Sequence, residues 1–165
     1  MSIFELSVNI KDKPIKPAKR ATAAPKAAAK PATPQSPADL EKLAMEAMSD
    51  LSAKFPAWAS GDVQLVKTLL AQAYGAYDTA RTDIVRQQVY PKVHDLKGQG
   101  TTFGYPLITD IGTHMCALIT NKTDFTNADI ITLKNDALMM ETVLWKKLKG
   151  DGGPKGADIL RKLRK

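Results

Sequence analysis

A lone cysteine, Cys116, excludes a disulfide scaffold. Only two histidines accompany it, so soft metal ligands are scarce and no metal site is expected. No apolar run approaches the roughly 18 residues a membrane span needs. No apolar stretch of signal-peptide type follows a basic start, so no secretory leader is expected. Aromatic residues make up 6% of the chain against 44% hydrophobic residues in total, which predicts an aliphatic core. The 165 residues amount to one domain's worth of chain.

The net charge of +7 is not spread evenly. Residues 1–37 carry seven bases against two acids, and residues 150–165 carry five against two. The stretch between them, 38–149, has 12 bases and 13 acids. The excess therefore lies in the tails, and a nearly neutral middle argues against nucleic-acid binding by the folded part. Residues 1–36 hold five prolines among Lys, Ala, Thr and Ser. Such a composition cannot bury enough apolar surface to offset its ordering entropy, which predicts a disordered linker. Within it, Phe4, Leu6, Val8 and Ile10 alternate with polar residues, the pattern of a short strand that could dock on another surface at 3–10. Residues 151–165 read as a basic C-terminal tail.

From 37 to 150 the pattern is helical, with no convincing strand. Ser36-Pro37-Ala38-Asp39 combines a capping hydroxyl, Pro in the first turn and an early acid, which predicts a helix start. Leu40, Leu43, Ala44, Ala47 and Leu51 form its core stripe, and Phe55-Pro56 is expected to stop it. Gly61-Asp62 opens the next helix. Around 80–83 either a third helix begins or the second continues, and the stripe there is Val85, Val89, Val93 and Leu96, with Pro91 inside the pattern predicting a kink or a fresh start. Pro106 opens a fourth helix. Thr126-Asn127-Ala128-Asp129 caps a last one whose inner face is Ile130, Leu133, Ala137, Leu144 and Leu148, ending at 150–153. Trp58 and Trp145 are expected in the core, and His114 is expected to be structural. Four to five amphipathic helices with short connections predict an all-α, antiparallel four-helix bundle, with one additional N-terminal helix and disordered basic tails.

One stretch carries chemistry. On a helix, Tyr90, His94, Lys97, Gly98 and Thr101 share a face beside the core stripe. Imidazole is nucleophilic near neutral pH, and a cation one turn away suits a phosphoryl group held on it. Gly98 costs roughly 0.8–1 kcal/mol in a helix relative to Ala. Close approach of another protein, or close helix packing, would offset that cost. The order His94, Lys97, Gly98, Gly104, followed by an apolar helix from Leu107, resembles the histidine-containing phosphotransfer domain. The resemblance spans about 37–150 and is strong only in 94–107. It implies a phosphocarrier of bacterial phosphorelay type, with His94 as phosphoacceptor and Lys97 steadying the phosphate. Gly98, Tyr90, Thr101 and Gln99 would dock a receiver domain. Partners would be receivers of a hybrid histidine kinase or response regulator in the cytoplasm. The carrier needs no cofactor and no ATP, and Mg²⁺ belongs to the partner receiver. No dimer is needed to present His94, so a monomer is expected.

The sequence departs from the family at one place. Many members have Gln or Glu 22 residues after the histidine, where it bonds the imidazole; here that residue is Cys116, and a thiol is a weak partner. Thr113, Gln99 or a water are left to orient the ring. Two other functions stay open: a binding module of the same fold that has lost transfer, and a binder of anionic surfaces or nucleic acid through the Lys/Ala/Pro-rich tails.

Overall fold

The computed structural model describes residues 36–163, and within them every regular element is helical. The short docking segment read at 3–10 and the linker after it lie outside the described residues. Helix α1 spans Pro37–Gly75 and α2 spans Asp78–Asp83. A π-helical turn, Ile84–Val89, leads directly into α3, Tyr90–Thr102. Then come α4, Pro106–Thr120, α5, Asn127–Trp145, and α6, Gly153–Leu163. The most extensive helix contacts join α3 to α4 and α1 to α5, with α4 also lying against α5.

Ser36 caps α1 as its sequence suggests, its hydroxyl accepting the Asp39 N–H at 3.2 Å. The predicted stop at Phe55-Pro56 does not occur, and Gly61-Asp62 opens no new helix; both pairs lie inside α1. Proline removes one helical hydrogen bond and costs about 3 kcal/mol there. Tertiary burial outweighs that cost. Phe55 is fully buried and stacks on Phe103 with ring centroids 5.0 Å apart, while Tyr105 lies 5.4 Å away. Ser52 adds a 2.8 Å hydrogen bond to the Phe103 carbonyl.

The expected core stripe of Leu40, Leu43, Ala44, Ala47 and Leu51 is instead exposed. Burial on α1 begins only at Phe55 and then follows Ala59, Val63, Val66, Leu70 and Ala73. With 39 residues, about 58 Å at 1.5 Å per residue, α1 is more than twice the length of the 15-residue α4, so its first half has nothing to lie on. Trp58 and Trp145, expected in the core, are 49% and 76% exposed. The core positions beside them belong to Phe55 and Ala59 on α1 and to Val143 and Leu144 on α5.

Pro91 behaves as its position requires. The π-helical turn ahead of it lets the Tyr90 N–H bond the Val85 carbonyl five residues back, and α3 restarts with Pro91 in its first turn. The α5 start is a complete capping box between Thr126 and Asp129. Leu148, expected on α5, lies beyond its end and packs half-buried on the core. The basic C-terminal stretch is not a free tail over 153–163. It forms α6, burying Gly156 and Ile159, and Gly152 sits close against the Leu107 side chain. The Gly150 N–H donates to the Gly104 carbonyl at 3.0 Å, which ties this segment to the α3–α4 turn.

Candidate functional site

The α3–α4 hairpin places the candidate residues, and two glycines set its spacing. A Cβ at Gly112 would lie 2.8 Å from the Lys97 Cβ, and one at Gly100 only 2.6 Å from the Thr109 hydroxyl. The two pairings show that α3 and α4 run antiparallel in close contact. Thr109 reinforces the seam: its hydroxyl donates to the Lys97 carbonyl at 2.9 Å and accepts from the Thr101 N–H at 2.9 Å. The turn itself is a helix stop with glycine in the left-handed conformation. Gly104 has φ +81, its N–H bonds the Thr101 carbonyl, and the Tyr105 N–H reaches back to the Gly100 carbonyl at 2.8 Å. Gly104 therefore serves the backbone turn.

Continuing the antiparallel register sets Val93 level with Cys116, one residue before His94. His94 is exposed, and among the described residues no side chain hydrogen-bonds its ring. Tyr90 lies one turn before it, half-buried, with ring centroids 5.9 Å apart. Lys97 lies one turn after it, its stem packed over Gly112 and its ammonium in no ion pair among the described residues. Gly98 is exposed, and a Cβ there would find nothing within 4 Å. Of the two readings of Gly98, close helix packing is thus ruled out, and an open patch beside His94 is what remains. Thr101 is exposed on the same face, but its hydroxyl is committed to Thr109 at 2.9 Å. Gln99 is exposed yet lies about 140° around the helix from His94, so it does not share that face.

Cys116 is buried in the seam. Burial pushes its thiol pKa up, while the nearby Lys97 charge pulls it down by less. The residue is a neutral thiol at neutral pH and offers the imidazole little. Thr113, the other candidate for orienting the ring, spends its hydroxyl on the Thr109 carbonyl at 2.8 Å.

His114 occupies the opposite side of α4. Its Nδ1 lies 2.9 Å from Asp136 Oδ2 on α5, and Asp136 is buried. Burial raises the Asp136 pKa, and the hydrogen bond and charge of His114 pull against that rise. The pair joins α4 to α5. Periodicity alone carries no sign of Asp136, a polar residue at a core position of α5, nor of Arg81, buried and bonded to the Ala73, Ala76 and Phe125 carbonyls. Comparison with known protein families, curated proteins and solved structures returns no match to this chain.

The arrangement can accept an electrophile at His94. The ring is open to solvent, a cation in no ion pair among the described residues is one turn away, and Gly98 leaves the neighbouring surface without a side chain. Among the described residues no three or more His, Cys, Asp or Glu side chains are grouped as metal ligands, and no helix is long and apolar enough to cross a membrane.

Proposed function

We propose that this protein is a histidine phosphotransfer carrier, accepting a phosphoryl group on His94 from one receiver-domain aspartate and passing it to another. The reading takes α1, the run from α2 through α3, α4 and α5 as the four helices of a phosphotransfer bundle. The observation that carries it is an exposed imidazole with no hydrogen-bond partner among the described residues, followed one turn on by a glycine with open space around it. A helix glycine that packs nothing is a cost with no return inside the molecule. An incoming partner surface that must approach His94 closely supplies the reason.

In the transfer, an imidazole nitrogen attacks phosphorus in line. The N–P bond forms as the P–O bond to the aspartyl carboxylate breaks, and the carboxylate leaves with the electron pair. Lys97 offsets the charge of the transferred group. The active-site acids and Mg²⁺ are the receiver's contribution, and the carrier contributes position. Such receivers place the reaction in the cytoplasm.

The test is phosphoryl transfer from a phosphorylated receiver domain, with His94→Gln run alongside. An acid-labile, alkali-stable adduct that the variant lacks supports the reading. An adduct that survives in the variant refutes the site. Receiver binding without any adduct favours a binding module that has lost transfer, which the thiol at Cys116 would suit.

A further inference from the structure

We propose that α1 is a dimerisation helix, and that two copies of this chain associate through antiparallel pairing of their α1 helices. The first half of α1, residues 37–54, buries none of its side chains, yet it carries Leu40, Leu43, Met45, Met48 and Leu51. This apolar surface does not end where the folded body begins. Leu40, Ala44, Ala47 and Leu51 follow alternating intervals of four and three, and Trp58 and Leu65 continue at intervals of seven. That is the a/d spacing of a coiled-coil seam. It lies to one side of the stripe of Phe55, Ala59 and Val66 that packs into the chain's own core. The large residues of the seam are 39–56% exposed.

A second copy is the occupant that this stripe fits. With a two-fold axis between positions 52 and 53, Leu40 of one copy faces Leu65 of the other. Ala47 faces Trp58, a small residue against a large one, and Ala44 faces Gly61, two small residues that allow close approach. Lys54 meets Leu51 with Asp50 beside it, so its charge finds an acid. A parallel pairing would instead stack Lys54 on Lys54 and Asp50 near Asp50. The antiparallel register also covers each projecting half with the outer face of the other copy's body, so every large seam residue is used. The apolar area on offer is on the order of 500 Å² per copy, at the upper end of what monomers expose in one patch, and the polar flanks of the seam add to it toward the ~800 Å² total per partner of a stable interface. His94 lies on α3, outside the seam.

Light scattering and sedimentation of the full chain test this, and they read assembly whether or not His94 carries phosphate. The expected mass at micromolar concentration is twice 17.9 kDa. Leu40→Glu, which faces Leu65, and Trp58→Glu, which faces Ala47, each weaken the dimer at least ~100-fold, by the cost of a charge in a desolvated seam. Both leave the helical circular dichroism unchanged, since both residues are exposed in the single chain. Ile131→Glu, at an exposed apolar residue of α5, leaves the dimer intact. Oxidation of a Leu40→Cys/Leu65→Cys double variant gives cross-linked dimers while Leu40→Cys alone does not; the two positions are about 37 Å apart along one helix, so the link must join two copies. A chain that stays monomeric at 100 µM, on the order of a hundredfold above a typical transient dissociation constant, overturns the proposal. So does a dimer indifferent to both glutamates. Cross-linking by Leu40→Cys alone overturns the antiparallel register.

Discussion

The two histidines of this chain lie on opposite sides of α4 and live in opposite circumstances. On the α3 side, His94 is exposed, without a hydrogen-bond partner among the described residues, and bordered by a glycine whose Cβ position has nothing within 4 Å. On the α5 side, His114 is held at 2.9 Å by a buried carboxylate. The glycines repeat the contrast. Gly98 faces open space, whereas Gly112 is pressed against the Lys97 backbone and stem. The face of α3 that bears His94 and Gly98 is left open, whereas α4 holds a helix on either side, α3 through Gly112 and α5 through His114. Residue type alone does not separate these roles; satisfaction does. A group whose hydrogen bonds and contacts are complete inside the fold has a structural reason to exist, and one left open calls for an external reason.

Substitution of the two histidines should divide function from stability. His94→Gln should abolish phosphoryl transfer, a loss above ~1,000-fold, while thermal unfolding stays within ~0.5 kcal/mol of the parent, as for other exposed sites. A melting temperature that falls with it would place His94 among the structural residues. His114→Ala should do the reverse, costing about 2–3 kcal/mol at pH 7 by leaving the Asp136 carboxylate buried without its partner. Burial already raises the Asp136 pKa, and removing the imidazole leaves that effect unopposed. The native carboxyl then holds its proton more tightly than the unfolded one, so stability falls as pH rises through the window between the two values. The deficit of the variant should accordingly shrink as pH is lowered from 7 toward 4. A deficit that is flat over that range, measured by denaturant unfolding, would contradict an electrostatic role for the pair.

The glycines sharpen the same contrast at smaller magnitude. Gly112→Ala puts a Cβ 2.8 Å from the Lys97 Cβ and 3.1 Å from its Cα. Backbone must move, and the expected cost is about 1–2 kcal/mol in denaturant unfolding. Gly98→Ala meets nothing and should stabilise the helix by up to ~1 kcal/mol. It should also slow transfer from a receiver several-fold, because the added methyl stands where the partner approaches. Gain of stability together with unchanged transfer would remove the docking reason for Gly98.

Much of the fold was legible where local rules act alone. The Ser36 cap, the Thr126–Asp129 box, the disturbance at Pro91 and the start at Pro106 all lie where residue chemistry puts them, because capping and proline geometry are settled within one turn. Legibility failed at Phe55-Pro56, where aromatic packing with Phe103 and Tyr105 overrides a local stop signal. It failed again at α6, whose composition reads as a tail but whose Gly156 and Ile159 find a surface on the core. At the candidate site, the face shared by Tyr90, His94, Lys97 and Gly98 followed from helical spacing. Gln99 did not belong to it, and the clamp of Thr101 on Thr109 could not be read without the neighbouring helix.

The sequence by itself determined that the chain from 37 to the basic C-terminal stretch is helical, that helices start at Pro37, Pro106 and Asn127, and that Tyr90, His94, Lys97 and Gly98 share one helical face. Periodicity and capping are properties of a single segment, so a single segment displays them. The tertiary structure decided which apolar stripe of α1 is core and which is left bare, since Leu51 and Phe55 are equally apolar and only the reach of the other helices tells them apart. It also decided which glycine packs and which stands open, because a missing side chain has no meaning until its neighbours are in place.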